Sequence, residues 1–220
     1  INVDECGAPE FYTGGAKLVN LNGINGKITA EELNNSISGK DIVHHTQPSS
    51  VSITQLSETG EAYNLDEIKS LILNADLVIN LIGILYEKNN LSFELVHYLL
   101  PKKIANYCEL YKKPFLHVSG LGSTFQTKSN YLISKKMGEE FIENNNTNHI
   151  IIRPSTVYGE EDNFFNLFGK MAKILPFLPL IKNGMTKFQP IYVNDLSLLI
   201  FNILNNFEKH KNSNIAAVGN

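Results

Sequence analysis

Several residue types are scarce in this chain. Tryptophan is absent, Arg153 is the single arginine, and the two cysteines, Cys6 and Cys108, lie far apart. Two unpatterned cysteines form neither a C-x-x-C motif nor a disulfide framework, which favours a reducing compartment. The six histidines are scattered, and the pair His44-His45 has no cysteine or carboxylate at ligand spacing. We therefore expect no metal site.

The chain also lacks an apolar run long enough to span a bilayer. The longest such run, residues 75–86, is too short and contains Asp76 and Asn80. A net charge of −3 gives no excess of positive charge for binding nucleic acid or an anionic membrane surface. With 220 residues, 43% of them hydrophobic and 19% charged, the composition is that of one soluble globular domain.

Strand-like and helix-like segments alternate along the sequence. Helix patterns include one beginning at Thr29, one beginning at Asn64, and a long one over residues 92–113 that should kink at Pro101. Strand patterns cover residues 17–23, 41–45, 51–56, 76–83, 114–120 and 149–159. This alternation predicts an α/β fold with a doubly wound parallel sheet and right-handed crossovers.

The same patterns predict the domain organisation and the core. We expect an irregular lead-in over residues 1–16, the main α/β domain over 17–162, and a small C-terminal lobe of the same domain over 163–220. The apolar run 76–83 should be a strand that is buried on both faces. Interior strand residues should then be Val78, Ile79, Leu81, Leu116, Val118, Ile150 and Ile152.

In such a sheet, ligands bind at the carboxyl ends of the strands. Gly23 and Gly26 have the spacing of a glycine-rich turn whose backbone N–H groups could approach a pyrophosphate, although a plain turn would have the same sequence. At the third position of that pattern stands Thr29 instead of glycine. Asn80 and Gly83 lie at the end of the predicted strand over 76–83. A cofactor's ribose could lie there, or the two residues merely terminate the strand.

Two further strand ends carry candidate residues. Ser119 and Ser123 follow the strand over 114–120, and Pro154 follows Arg153 at the end of the strand over 149–159. A residue that precedes proline is restricted to extended backbone, so Arg153 should remain in the strand. Loops rich in glycine and serine often have no function, so these positions are candidates only.

The strand over 114–120 is followed by a predicted helix over residues 131–144. A tyrosine and a lysine four residues apart lie on this helix. The spacing puts the Lys135 ammonium beside the Tyr131 phenol on one helix face, where it should lower the tyrosine pKa toward an acid/base range. Chance supplies roughly 0.7 such pairs in a chain with nine Tyr and 18 Lys. A second pair, Tyr98 and Lys102, lies in the helix with Pro101 and lacks comparable neighbours.

These segments, in this order, resemble the extended, atypical branch of the short-chain dehydrogenase/reductase superfamily, which has a Rossmann-like fold. They are most similar to the family of NAD(P)H-binding accessory subunits of mitochondrial respiratory complex I. Segments that carry the resemblance are VINLIG, LLPKKIA, FLHVSGLGS, SNYLISKKMGEE, IIIRPSTVYGEEDNFFNLF and KFQPIYVNDLS. The resemblance extends from about residue 17 to residue 203.

The resemblance implies a dinucleotide site. The superfamily's catalytic tyrosine and lysine correspond to Tyr131 and Lys135, and its hydroxyl-bearing partner should lie near Ser119 but aligns with Gly120. The catalytic set is therefore incomplete, and Tyr131, Lys135 and Ser119 are vestigial candidates. The implied cofactor is NADPH or NADH in a structural role. Its binding residues would be Gly23, Gly26, Asn80, Gly83, Ser119, Tyr131, Lys135 and Pro154.

Three functional hypotheses follow. The first, implied by the resemblance, is a non-catalytic, nucleotide-binding accessory subunit that stabilises or assembles complex I. It would contact other complex I subunits, peripheral to the inner mitochondrial membrane on the matrix side, or lie in a bacterial cytoplasm. The second is an active NAD(P)-dependent reductase or epimerase. The third is a scaffold subunit that has lost the cofactor.

Overall fold

The chain divides into two compact units, Ile1–Asn74 and Ala75–Asn220. Within them, the computed structural model describes residues 8–55, 61–88, 91–123, 127–145, 148–160, 162, 164–174, 185 and 187–219. No helix within these described ranges is both long enough and apolar enough to cross a membrane. The predicted boundary at residue 162 remains a prediction.

The first unit contains three helices: α1 (Ala8–Tyr12), α2 (Ala30–Ser36) and α3 (Leu65–Leu73). The predicted caps are confirmed, because Thr29 and Asn64 each accept hydrogen bonds from backbone N–H groups of the first turn of α2 and α3, respectively. In each case a glutamate three residues later completes a capping box. The segment 8–12, predicted to be irregular, is helical.

The predicted strands at residues 17–23 and 41–45 are wrong, as is the part of the predicted strand 51–56 that the structure describes. These segments are loop or turn. Their apolar side chains bury little surface, since Val19 and Val43 are 64% and 77% exposed. A strand is stabilised by cross-strand partners and burial more than by its own propensity, and no described residue of this unit supplies either.

The second unit is built on a parallel four-stranded sheet in the order β1-β2-β3-β6. Three of these strands, β1, β2 and β3, were predicted from apolar runs, and their observed bounds are tighter. The fourth strand, β6, was not indicated by the sequence patterns. The strands are β1 (Val78–Asn80), β2 (Phe115–Val118), β3 (His149–Pro154) and β6 (Ser213–Ala217). A second, two-stranded parallel sheet pairs β4 (Val157–Tyr158) with β5 (Ile191–Tyr192).

Helices connect these parallel strands, as parallel pairing requires. A π-helical segment (Leu95–Leu99) leads directly into α4 (Leu100–Leu110) between β1 and β2. Pro101 is the second residue of α4 and has no N–H to donate, and the wider π-helical turn lies directly before this helix. The remaining helices are α5 (Asn130–Asn145), α6 (Phe165–Ile174), α7 (Val193–Asn205) and α8 (Phe207–His210).

The core of the second unit lies between the sheet and the C-terminal helices. Leu116, Ile150 and Ile152 are fully buried, and they belong to one cluster with Ile203 and Phe207. The expectation for β1 is wrong at two positions, because Ile79 and Leu81 are 41% and 66% exposed. The reason is that β1 lies at the edge of the sheet and only β2 pairs with it among the described residues.

We expect Leu116→Ala and Leu81→Ala to differ sharply in stability. Leu116 is fully buried, so its truncation leaves a cavity and should lower the free energy of unfolding by about 2–5 kcal/mol. Leu81 is mostly exposed, so the same truncation should change that free energy by less than about 0.5 kcal/mol. Chemical denaturation of both variants measures the difference. Equal losses would contradict the burial pattern of the sheet.

Candidate functional site

The carboxyl ends of β1 and β2 bring two buried polar side chains together. Asn80 and His117 are each 2% exposed and lie opposite one another in the strand register. The Asn80 side-chain carbonyl accepts a hydrogen bond from the Ile82 N–H at 3.1 Å, which fixes the orientation of its amide. Its NH₂ group therefore donates to His117 Nδ1, also at 3.1 Å. This pair fixes the start of the loop that follows β1.

A second buried histidine comes from the π-helical segment. His97 is 2% exposed, its Nε2 accepts a hydrogen bond from the Ile84 N–H at 3.1 Å, and its Nδ1 lies 3.1 Å from Ser134 Oγ. Its ring stacks on Phe93 and meets the Tyr131 ring edge-on, with ring centroids 5.5 and 5.2 Å apart. His97 thus contacts both the loop after β1 and the first turns of α5.

Tyr131 and Lys135 lie one turn apart on α5, as the spacing predicted. The Lys135 ammonium is 5.3 Å from the centroid of the Tyr131 ring, and the lysine side chain is buried, with 6% of the residue exposed. Among the described residues, its Nζ makes no hydrogen bond or ion pair. The ammonium lies over the Tyr131 ring as a cation over an aromatic face, and its N–H groups can still donate to an electron-rich ligand, such as a hydroxyl or an anion.

The predicted effect of Lys135 on the Tyr131 pKa is wrong. Burial raises the pKa of Tyr131, because taking the phenolate out of water outweighs any help from the nearby cation. Burial also lowers the pKa of Lys135, and the negative charge of Glu139, one turn further along α5, partly opposes this. The pair therefore holds a protonated phenol rather than a reactive phenolate.

Two glycines leave space beside this pair. A Cβ atom added to Gly120 would lie 3.9 Å from the Tyr131 hydroxyl and 3.5 Å from Lys135 Cδ. A Cβ added to Gly83 would lie 3.8 Å from both His97 Nε2 and Lys135 Nζ. The side-chain position that faces Tyr131 is thus occupied by a residue without a hydroxyl.

Ser119 does not take the place of that hydroxyl. Neighbouring residues of extended chain point to opposite faces, so the Ser119 side chain points away from the side that Gly120 presents to Tyr131. Ser119 is 6% exposed, and its Oγ has no hydrogen-bond partner among the described residues. Its predicted role in cofactor binding remains a prediction.

The remaining predicted site residues lie elsewhere. In the first unit, Asn25 and Gly26 have positive φ of 53° and 74°, and the Lys27 N–H donates to the Ile24 carbonyl. These are the features of a type I′ turn, with glycine at a position that favours it. Gly23 precedes this turn, and residues 8–22, the described part of the chain before it, contain no strand. In the second unit, the Pro154 carbonyl accepts a hydrogen bond from the Leu121 N–H at the carboxyl edge of the sheet.

The alternative pair, Tyr98 and Lys102, has closer contacts than the sequence indicated. Lys102 Nζ lies 3.4 Å from the Tyr98 hydroxyl and 4.9 Å from the centroid of the Phe141 ring. The lysine therefore packs between α4 and α5 as a cation over aromatic rings. Among the described residues, no contact joins the side chain of Tyr98 or Lys102 to Gly83 or Gly120.

Next to Lys135 on α5, Glu139 belongs to a charged network that was not predicted from the sequence. Glu139 is 2% exposed and accepts two hydrogen bonds from the Arg153 guanidinium, at 2.9 and 2.7 Å. Ser123 Oγ donates to the other oxygen of the same carboxylate at 2.7 Å. The signal available in the sequence was the spacing of Glu139 four residues after Lys135. Nothing comparable marked His97 or His117, whose partners are distant in the chain.

Two of the buried histidines, His97 and His117, predict a loss of stability in acid. Burial, reinforced by the charge of Lys135, lowers the pKa of His97 to about 4 and that of His117 to about 3, from an ordinary value of 6.5. Below pH 6.5 the unfolded chain therefore binds protons that the folded chain refuses, so stability is present above 6.5 and is lost as the pH falls toward 4.

We expect the free energy of unfolding to fall by about 4 kcal/mol between pH 7 and pH 5, summed over both histidines. Denaturation curves of the wild type and of a His97→Gln/His117→Gln double variant at the two pH values measure this contribution. The double variant should lose much less stability over the same interval. An equal loss in both proteins would show that other groups cause the acid sensitivity.

Together, the parallel sheet and its flanking helices define a Rossmann-like α/β fold, with the Tyr131–Lys135 pair on the helix that follows β2. The fold is similar to that of a dTDP-4-dehydrorhamnose reductase from Clostridium acetobutylicum, with a TM-score of 0.59 and 16% identity, over 70% of this chain and 60% of that one. The same reductase from Bacillus anthracis, solved in complex with NADP, gives a TM-score of 0.53 at 16% identity, over 71% and 61%. The predicted fold class is confirmed.

The sequence comparisons are more specific. The chain is 38% identical over 137 residues to NADH dehydrogenase (ubiquinone) 1 alpha subcomplex subunit 9, mitochondrial, of Arabidopsis thaliana, covering 61% of this chain and 34% of that protein. The protein of the same name from Mus musculus is 38% identical over 144 residues, covering 64% and 38%. No protein-family model matches the chain.

These similarities confirm the resemblance found in the sequence. The matched regions span little more than a third of the length of these curated relatives, at 34% and 38%. The activity and the partners of the whole protein are therefore matters for the proposal that follows.

Proposed function

We propose that this chain is a dinucleotide-binding accessory subunit of respiratory complex I, the NADH:ubiquinone oxidoreductase, and that it stabilises or assembles the complex without catalysing a reaction of its own. The observation that carries the proposal is the 38% identity to two proteins whose names make them subunits of a mitochondrial NADH dehydrogenase. Their names also support a mitochondrial location, and we place the chain on the matrix side of the inner membrane.

The residues of the second unit fit one part of a dinucleotide. Lys135 is a buried cation that makes no hydrogen bond or ion pair with any described residue, and Tyr131 keeps its proton, so the two can hold the hydroxyls of a nicotinamide ribose. Gly83 leaves room for a ligand beside Lys135, at the carboxyl end of β1. The fold is shared with a reductase solved in complex with NADP. We propose NADPH or NADH as the ligand.

The rest of the predicted set would hold the other parts of the ligand. Asn80, Ser119 and Pro154 lie at or just beyond the carboxyl ends of β1, β2 and β3, respectively, where a ligand of such a sheet binds. Gly23 and Gly26 belong to the first unit, and their contact with a pyrophosphate remains a prediction of the sequence. A bound reduced nicotinamide would supply a hydride. Among the described residues, the position that faces Tyr131 is Gly120, which offers no hydroxyl to join the Tyr131 phenol in holding and polarising a carbonyl during such a transfer. We therefore propose a structural role for the dinucleotide, which stabilises the folded chain by binding it.

Specific observations favour each alternative. The retained Tyr131–Lys135 pair and the fold similarity to reductases favour an active NAD(P)-dependent reductase or epimerase. A scaffold that has lost the cofactor is favoured by the first unit, where Thr29 serves as a helix cap and no strand lies within the described residues 8–22.

The proposal is tested with a tagged chain expressed in its source cells. Affinity purification followed by native gel electrophoresis should recover the tagged chain in a complex that oxidises NADH. Depletion of the chain should lower the amount of assembled complex I, whereas depletion of an unrelated matrix protein should not. Recovery of the chain only as a free protein, with complex I unaffected by its depletion, would overturn the proposal.

A further inference from the structure

The short loop of residues 81–84, which follows β1, is held at both ends by buried histidines from two other elements. At its start, Asn80 bonds to His117 of β2 and also caps the Ile82 N–H. At its end, the Ile84 N–H donates to His97 Nε2. Between these two points lies Gly83, whose open side faces Lys135. The site proposed for the dinucleotide ribose is thus bordered by a loop that its own backbone hydrogen bonds do not fix.

The hydrogen bonds of His97 define a single tautomer. A backbone N–H only donates, so His97 Nε2 must be unprotonated to accept from Ile84. Ser134 Oγ donates its one proton to the Tyr131 carbonyl at 2.8 Å, so it can only accept from the histidine. His97 Nδ1 therefore carries the proton and donates to Ser134 at 3.1 Å. Both ring nitrogens are used, each in a fixed direction.

This imidazole joins the loop after β1 to the helix that carries Tyr131 and Lys135. One bond reaches Ile84, next to Gly83, and the other reaches Ser134, next to Lys135. The Phe93 ring stacks on the histidine at an interplanar angle of 16°, which restricts its rotation. A π-helical turn carries the histidine, and such turns widen a helix where a side chain must be directed into a site.

We infer that His97 is a positioning residue for the dinucleotide. The histidine holds the loop of residues 81–84 at a fixed separation from Tyr131 and Lys135, so that the ribose fits between them. The inference rests on the proposed function and deepens it, since it concerns how the same site retains its ligand. His97 acts through Ile84 and Ser134. Without its two bonds the loop can move away from α5, and the ligand would have to restore the separation as it binds.

The test compares dissociation constants of NADPH and NADH for the purified chain and three variants, measured from the fluorescence of the reduced nicotinamide. His97→Phe keeps a ring that can stack on Phe93 but removes both hydrogen bonds, and His97→Gln keeps one acceptor and one donor. Ile203→Val serves as the matched control, because Ile203 is buried in the core cluster, apart from the site. Denaturation without ligand gives the free energy of unfolding of each protein.

We expect the dissociation constant to rise about tenfold or more in His97→Phe and by less than about threefold in His97→Gln. Ile203→Val should lower the free energy of unfolding without changing the dissociation constant. The inference is overturned if folded His97→Phe binds as the wild type does, if His97→Gln restores nothing, or if Ile203→Val weakens binding equally. If His97→Phe does not fold, Ser134→Ala, which removes one of the two bonds, must weaken binding, and unchanged binding there overturns the inference. Failure of the wild type to bind either dinucleotide overturns the dinucleotide part of the proposed function together with this inference.

Discussion

Lys135→Ala is expected to raise the dissociation constant of the dinucleotide by roughly 10- to 150-fold, which corresponds to the loss of a charged hydrogen bond worth about 1.5–3 kcal/mol. Lys135 is buried beside Tyr131 and makes no hydrogen bond or ion pair with any described residue, so its ammonium is free for a ligand hydroxyl. Titration of the purified variant with NADPH or NADH measures the change. In cells, the same variant should assemble less complex I.

The chain supplies its own matched controls. Lys102→Ala removes a lysine at the same spacing from a tyrosine, but Lys102 packs on Tyr98 and Phe141 instead of the site, so the affinity for dinucleotide should not change. Tyr131→Phe is a different comparison: it removes an uncharged ribose contact, so it should weaken binding less than Lys135→Ala does, and NADH oxidation by the assembled complex should stay near normal because the proposed role of the dinucleotide is structural. Equal loss of binding in Lys102→Ala and Lys135→Ala would remove Lys135 from the ligand site.

Gly138→Ala is expected to have the largest effect on stability. A Cβ at this position of α5 would lie 2.2 Å from the carbonyl oxygen of His97, which is backbone and cannot rotate away. The helix must therefore move off the π-helical segment, and we expect the free energy of unfolding to fall by roughly 3 kcal/mol or more. Chemical denaturation measures the loss.

Gly169→Ala is the control for the Gly138 substitution. Gly169 also lies within a helix, α6, but a Cβ there would have no neighbour within 4 Å. Because alanine favours a helix by about 1 kcal/mol over glycine, this variant should be as stable as the wild type or more so. If both alanine variants lost stability to the same extent, the close approach of α5 to His97 would be refuted.

Much of the fold of the second unit could be predicted from local signals. Apolar runs indicated β1, β2 and β3, and the helix over 131–144 corresponds closely to α5. Strand β6 has no such run, and it forms because residues 213–217 pair with β3. Ile79 and Leu81 resembled core residues, but their exposure depends on whether a strand pairs beyond β1, which their own sequence does not determine.

In the first unit, two helices could be predicted from the sequence, but the predicted strands were wrong. Its helices α2 and α3 could be predicted because Thr29 and Asn64 cap them through bonds that span three residues. Its predicted strands failed because a strand depends on partners distant in the sequence. The segment 17–23 mixes polar and apolar residues, and such a pattern is compatible with an exposed loop.

The candidate site was predicted in part for the same reasons. The Tyr131–Lys135 pair lies on one helix turn, so its geometry followed from spacing alone. The direction of the Tyr131 pKa shift did not, because burial is a property of the whole fold and outweighs the neighbouring charge. His97 was not identified, since its partners Ile84 and Ser134 are 13 and 37 residues away in the chain.

The central claim is that the chain holds a dinucleotide as a structural ligand. It is tested most directly by mass spectrometry of the small molecules that the chain, purified from its source cells, releases on denaturation. The account predicts about one NADPH or NADH per chain, recovered in the same redox state after incubation of the native protein with carbonyl compounds. A chain that releases no dinucleotide, or one whose dinucleotide is oxidised by an added carbonyl compound, would contradict it.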